Sequence, residues 1–270
     1  MTNIKVLMVN YNNPEYSKYL IDSLRSQKGG GRGFALECII VDNSTDTQKA
    51  RECEELLNGV PWGRYIKAPA NLGFFGGVNH GMSLCDLSNC SYLIICNNDL
   101  QFNDNFCSQL AATAFNDRIM AVCPDVITAD GLHQNPHILK RISSIRRFQF
   151  DMYFSNYWVA RLLVLLLRFI RPVKASREQT GEAHEMHMGV GACYILTSRF
   201  LARFKQLNYP HFLYGEEAYI SDQIHTAGGI LWYDPALCVH HAESAALSKI
   251  PRREAYEYER VGYPNYRSLL

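Results

Sequence analysis

Along the first hundred residues, short and almost wholly apolar runs alternate with stretches in which apolar residues recur every three or four positions. Residues 4–9, 36–41, 65–68 and 92–96 are such runs, and they read as strands buried on both faces, as in a parallel sheet. Between the first two, Asn13-Pro14 supplies an N-cap and a proline at the first helical position. Tyr16, Leu20 and Leu24 then follow at i, i+4 and i+8, until Gly29-Gly30-Gly31 stops the helix. A second helical pattern runs from about residue 45 to 57, with Ala50, Cys53 and Leu57 on one face. The rhythm returns later in the chain. Residues 190–196 are predicted as strand, 198–207 and 215–227 as helices, and 230–233 and 237–240 as two further strands. This order predicts an α/β fold, Rossmann-like, with a mostly parallel central sheet and flanking helices.

Residues 137–180 break the pattern. Residues 139–178 hold nine basic residues against two acidic ones, Asp151 and Glu178. Within them, residues 158–170 are apolar, too short to span a bilayer and more apolar than a surface helix normally is. Arg161, Arg168 and Arg171 fall on one helical face. Such a helix suits the membrane interface, with its arginines on anionic headgroups. A core helix packed on the sheet is the competing expectation.

Composition narrows the picture. At 270 residues, 47% hydrophobic and 20% charged, the chain is a globular domain, not a disordered or disulfide-stapled one. A net charge of +1 gives no field for nucleic acid, so no nucleic-acid partner is expected. Nine cysteines, without CxxC spacing, point to reduced thiols. The chain opens directly into a strand-like run, with no signal-peptide pattern. A cytoplasmic protein is expected, with peripheral contact at the inner face of the cytoplasmic membrane through residues 139–178.

Four polar clusters stand immediately after the four N-terminal strands: Asn10-Tyr11-Asn12, Asp42-Asn43-Ser44, Asn71-Leu72-Gly73 and Asn97-Asn98-Asp99. Any one of them is an ordinary turn or cap. Four at the same sheet edge point to a ligand crevice, because open α/β sheets bind at the carboxyl ends of their strands.

These clusters, in this order, resemble the motifs of family 2 glycosyltransferases, most closely the bacterial rhamnosyltransferase-like branch. The resemblance covers residues 3–125 and 185–245. It implies a GT-A fold, a nucleotide-diphosphate sugar donor and a divalent metal, Mn²⁺ or Mg²⁺. It divides the chain into a nucleotide-sugar half (1–125), an acceptor half (126–248, with the basic and apolar insert 137–180) and a helical tail (249–270). Asn12 and Asp42 would line the nucleoside pocket, Asp42 reading the base edge. Asn71 and Gly73, with Gly76 and Gly77, would let the backbone approach the nucleotide. Asn97, Asn98 and Asp99 occupy the place of the DxD motif, with Asp99 as the metal ligand and Asn97 in place of the first aspartate.

In the second half, residues 212–217 resemble the family's aromatic segment that ends in the catalytic base, here Glu217 where an aspartate is more usual. Two acids opening a helix also simply suit its dipole. The segment 189–192 matches small residues near the acceptor. Cys238-Val239-His240-His241 resembles the strand end that carries a metal-ligating histidine. The spacing favours His241, while Ala242-Glu243-Ser244 departs from the family pattern and leaves His240 open. The basic and aromatic tail, from Arg252 to Arg267, either closes over a diphosphate or forms a solvated helix.

The resemblance thus implies an inverting, metal-dependent glycosyltransferase acting on a lipid-linked glycan acceptor in bacterial surface polysaccharide biosynthesis, with dTDP-rhamnose or a UDP-hexose as donor. Two alternatives stand beside it. One is a nucleotidyltransferase of similar fold, which would need a glycine-rich basic loop that residues 10–16 lack. The other is a non-catalytic carbohydrate- or membrane-binding scaffold.

Overall fold

The computed structural model describes residues 1–29, 33–170, 181–242 and 253–270. Three predicted strands, β1 (Thr2–Asn10), β2 (Phe34–Asp42) and β4 (Tyr92–Asn97), lie in parallel register, and β3 (Gly63–Lys67) extends the same ladder beyond β2. The sheet continues through β5 (Leu100–Phe102), β6 (Ile119–Thr128), β7 (His184–Met186), β8 (Cys193–Thr197) and β9 (Ile230–His241). Its order is β3-β2-β1-β4-β8-β6-β9-β5, with β7 paired to β9.

The second half is less regular than the pattern predicted. β8 runs antiparallel to both neighbours, β4 and β6, so the parallel arrangement holds for the β3-β2-β1-β4 half and for the β6–β9 pair. β5, β6 and β7 had no counterpart among the predicted strands. β6 carries Pro124, which discourages a central strand, and β5 and β7 are three residues each. The two strands predicted at 230–233 and 237–240 are one. Its ladder with β6 jumps from Pro124↔Asp234 to Asp125↔Cys238, so Pro235, Ala236 and Leu237 bulge from a continuous strand. The division expected between residues 125 and 126 falls inside β6, and both halves share one sheet.

Helices cover both faces. On one side α1 (Pro14–Gly29), α2 (Thr47–Glu55) and α4 (Phe106–Ala112) bury Leu20, Leu24, Cys53 and Phe106 against Val6, Met8 and Ile40. On the other, α3 (Gly73–Leu84), α7 (Ser198–Arg203) and α8 (Glu216–Thr226) bury Phe75, Phe200 and Ile220 against Leu7, Ile95 and Tyr194. α7 ends at Arg203, short of the predicted 207.

A smaller third cluster joins α5 (Ser144–Tyr153) and α9 (Arg253–Tyr266) to α8 through Phe150, Phe154, Tyr263 and Ala218, and α6 (Tyr157–Ile170) meets α9 where Tyr157 packs on Tyr256. The described part of the tail therefore packs on the insert. Arg267 pairs with Asp151 and Arg260 with Glu257, while Arg252 lies outside the described residues. All nine cysteines carry free thiols, seven of them buried. Burial pushes Cys53 and Cys107 up to about 12, which leaves them poor nucleophiles. No helix among the described residues is long and apolar enough to cross a membrane.

Candidate functional site

Parallel pairing sets the strand ends level: Asn10 stands opposite Asp42, and Val9 opposite Asn97. The loops that follow enclose a cavity of about 430 Å³ at this edge. Asn71, Gly73, Asn97, Asn98 and Asp99 line it, as the sequence predicted. So do Tyr11, Tyr16, Phe74 and Phe212, an aromatic rim in which Tyr11 is 49% and Phe212 50% exposed.

Asp42 and Asn12 do not line it. Asp42 is fully buried and accepts hydrogen bonds from Asn10 Nδ2 (2.8 Å), Tyr65 Oη (2.8 Å), Lys67 Nζ (3.1 Å) and the Ser44 backbone (3.1 Å) and hydroxyl. Burial alone raises its pKa, but these bonds outweigh burial and hold the carboxylate below the usual range. With its oxygens so engaged, Asp42 is held in the floor beside the site. Asn12 staples two loops: its Oδ1 accepts from the backbone of Thr45 (3.1 Å) and Asp46 (3.0 Å). Asn98 is equally committed, donating from Nδ2 to Asn10, Ser17 and the Asn13 carbonyl at 3.0–3.1 Å.

The glycines serve packing more than nucleotide approach. A Cβ at Gly77 would stand 2.9 Å from Val9 Cγ1, and one at Gly81 would stand 2.7 Å from Leu7 Cδ1, so these two seat α3 on the sheet. The Cβ of a residue at Gly76 would meet only Leu72 of its own helix. Gly73 has φ +73°, and its Cβ would lie 2.1 Å from the Phe212 carbonyl oxygen. Gly73→Ala therefore combines about 1–2 kcal/mol of backbone strain with a backbone clash that pushes the 212–217 segment outward. Both the melting temperature and ligand binding in the cavity are expected to fall, by calorimetry. A fully stable Gly73→Ala variant would contradict this contact.

Asn43, outside the predicted site set, donates through Nδ2 to the Gly73 carbonyl at 2.9 Å, while its buried Oδ1 has no partner. The same holds for Asp99 Oδ1 and His241 Nε2, which are also buried and unpartnered by hydrogen bonds. The β5–β9 ladder pairs Leu100 with His241. This brings His241 Nε2 to 3.2 Å from Asp99 Oδ2. His241 Nδ1 lies 3.0 Å from Gln134 Oε1. The ring is thus anchored at both nitrogens, by an amide oxygen at Nδ1 and a carboxylate at Nε2. An imidazole nitrogen and a carboxylate oxygen at this spacing could serve as neighbouring donors to one cation. His240 is exposed on the other side of β9, beside Tyr19 and Asp22, so the structure puts His241, not His240, beside Asp99. Gln134 carried no sequence signal, because its role exists only through the Val126–Gln134 backbone turn.

Among the described residues, no three metal-ligating side chains cluster. Asp99 and His241 supply two candidate donors, and an ion held by them would need others, such as phosphate oxygens and water.

The segment 212–218 divides this cavity from a second one of about 270 Å³. Glu216, Glu217, Phe150, Phe154, Met188 and Tyr266 line the second. Glu217 Oε1 accepts from the Gly191 backbone at 3.1 Å, and the next carbonyl, Ala192, accepts from Asn97 N at 3.0 Å. The small-residue segment thus ties Glu217 to the end of β4. A Cβ at Gly191 would sit 2.5 Å from Glu217 Oε1, so any side chain there would displace the Glu217 carboxylate. Burial raises the pKa of Glu217, partly offset by its own backbone N–H and that of Gly191. Burial likewise pushes Glu216 up to about 7, with Glu217 adding to the effect. Both acids open α8 and suit its dipole, yet their desolvation makes them more than caps.

A family model described as "Glycosyl transferase family 2" matches residues 5–171. No curated protein matches the chain. Among solved structures, GalNAc-T7 with UDP, GalNAc and Mn²⁺ is similar at a TM-score of 0.56 and 16% identity, over 91% of this chain and 44% of that one. TarS 1–349 of S. aureus is similar at a TM-score of 0.51 and 12% identity, over 90% of this chain and 60% of that one. The chain thus spans well under two thirds of either structure, and the likeness is one of fold.

Proposed function

Because the chain belongs to glycosyl transferase family 2 and has the GT-A fold, we propose that it is an inverting, metal-dependent transferase using a nucleotide-diphosphate sugar. The observation that carries this reading is the pair of unpartnered buried atoms, Asn43 Oδ1 and Asp99 Oδ1, on residues that line the strand-end crevice, with His241 beside Asp99. Buried polar atoms without partners are costly unless a ligand completes them.

The aromatic rim offers flat faces for a nucleobase, and the network around Asp42 holds the floor beneath it. Asp99 and His241 would hold a divalent ion. Mn²⁺ suits the imidazole better than Mg²⁺ does, and the neighbour GalNAc-T7 was solved with Mn²⁺. Such an ion neutralises the diphosphate of the donor and of the leaving group. An acceptor hydroxyl reaching Glu217 loses its proton to that carboxylate. Its oxygen attacks the anomeric carbon from the side opposite the diphosphate, and the bond to the diphosphate oxygen breaks. One displacement inverts the centre.

The acceptor proposed is a lipid-linked glycan of bacterial surface polysaccharide, met at the inner face of the cytoplasmic membrane. The donor proposed is dTDP-rhamnose or a UDP-hexose. Calorimetry with a panel of nucleotide sugars, with and without Mn²⁺, tests the reading. Micromolar binding of one nucleotide diphosphate that depends on Mn²⁺, with slow hydrolysis of its sugar, is expected. No binding across the panel would overturn it.

A further inference from the structure

We infer that the α5–α6 hairpin is a docking surface for an anionic lipid bilayer, holding the cavity of Glu216 and Glu217 toward the headgroups. The inference rests on the proposed transfer to a lipid-linked acceptor and says where that acceptor is met.

Both helices turn apolar stripes outward. On α5, Ile145, Phe148 and Met152 stand at i, i+3 and i+7 and are 74%, 63% and 41% exposed. On α6, Trp158, Leu162, Leu165 and Leu166 stand at i, i+4, i+7 and i+8 and are 41–62% exposed. A surface helix normally buries its apolar stripe and exposes its polar one. Contiguous exposed apolar surface on this scale marks an interaction site.

The arrangement is firmly held from behind. Phe154 stacks on Tyr263 and Tyr256 at centroid distances of 4.5 and 6.3 Å. Tyr256 Oη donates to the Tyr153 carbonyl at 2.7 Å, and Asp151 is gripped by Tyr263 and Arg267. The outward stripes are therefore a consequence of inward packing. Ile145, Phe148 and Met152 stand open to solvent along the groove that α5 forms with Leu163 and Val164 of α6. Between the helices an apolar groove of about 1060 Å³ lies open, lined by Phe148, Met152, Leu163 and Val164.

Charge selects the partner. Lys140 and Arg146 are exposed beside the stripes, and Arg161 lies over Tyr157 and Trp158 at 5.9 and 5.6 Å. The one acid between residues 139 and 170, Asp151, is neutralised by Arg267. Apolar stripes bordered by positive charge, with an aromatic at the boundary, match acyl chains beneath anionic headgroups. A second copy of this surface would bring like charges together. The Arg168 side chain and Arg171 lie outside the described residues.

The place on the fold also fits. Phe150 lines both the groove and the cavity of Glu216 and Glu217, and α5 separates the two. A bilayer seated on the stripes would put a headgroup-borne sugar at the mouth of the second cavity.

The test is co-sedimentation of the full chain with vesicles of phosphatidylcholine alone, or mixed with phosphatidylglycerol. Binding is expected to the mixed vesicles, about tenfold or more above phosphatidylcholine, and to fall with salt. The variant Ile145→Ser, Phe148→Ser, Trp158→Ser, Leu162→Ser should drop to the phosphatidylcholine level. Lys140→Gln, Arg146→Gln, Arg161→Gln should lose the preference for phosphatidylglycerol. Both variants alter exposed or rim side chains, and wild-type melting temperature and nucleotide affinity identify them as folded. The inference is overturned if the wild type ignores both vesicles, or if the serine variant binds like wild type. It is equally overturned if sedimentation shows a dimer that the serine variant abolishes. Vesicle binding needs no donor, so failure of nucleotide binding with intact vesicle binding would strike the transferase reading alone.

Discussion

Glu217→Gln is expected to abolish transfer, with kcat down by about 10² to 10⁴ and the donor Kd nearly unchanged. The amide keeps the shape of the side chain and its contact with Gly191 N, but it cannot take a proton. Glu216→Gln should be milder, because Glu216 is engaged with Tyr209 on a different side of α8. Two neighbouring carboxyls in one cavity titrate as a pair. Burial raises both, so the transfer rate should climb with pH through the range in which the pair loses its protons.

Stability should move the other way. A carboxyl with a raised folded pKa contributes its stability below its ordinary value near 4.5, and loses it as pH rises toward about 7. The wild-type melting temperature is thus expected to fall between about pH 5 and 8, and to fall less in Glu216→Gln. Near-normal turnover in Glu217→Gln would remove that residue from the role. Equal losses at both positions would make the pair, not one acid, the base.

The strand ends were legible because buried parallel strands write themselves as apolar runs, and whatever follows such a run must sit at the sheet edge. That reasoning located Asn97, Asp99 and Asn71 in the cavity. It did not separate lining from support. Asp42 and Asn12 carry the residue types of ligand contacts, yet their oxygens are used up within the protein. Which partner a polar side chain takes is decided by neighbours far away in sequence, such as Tyr65 and Lys67. Glycine in a sequence likewise does not say what approaches it: only the packed helix shows that Gly77 meets Val9. β6 was illegible for a local reason, since Pro124 interrupts it, and Gln134 was invisible with it. The outward stripes of α5 and α6 are a third kind of case. The composition of residues 139–178 signalled something unusual, but periodicity alone cannot tell an apolar face turned to the core from one turned to solvent.

The choice between the two histidines illustrates what the ladder adds, and it leads to the sharpest test of the metal proposal. Alternation along β9 sends His240 and His241 to opposite faces, and only His241 meets Asp99. Asp99→Ala is expected to weaken nucleotide-diphosphate binding to its metal-free level and to remove the effect of added Mn²⁺, read by calorimetry and by the paramagnetic resonance of bound Mn²⁺. His241→Ala should lose Mn²⁺ affinity and retain a smaller response to Mg²⁺, since the hard-oxygen donors remain. His240→Ala should behave as wild type. Gln134→Leu leaves both ligands in place but removes the partner of Nδ1, so the ring loses one of the contacts that orient it. Mn²⁺ affinity should then fall by about 10- to 100-fold, without the full loss seen at Asp99. Full activity in excess EDTA would sink the metal site altogether. Unchanged Mn²⁺ affinity in Gln134→Leu would show that His241 is oriented by the β5–β9 ladder alone.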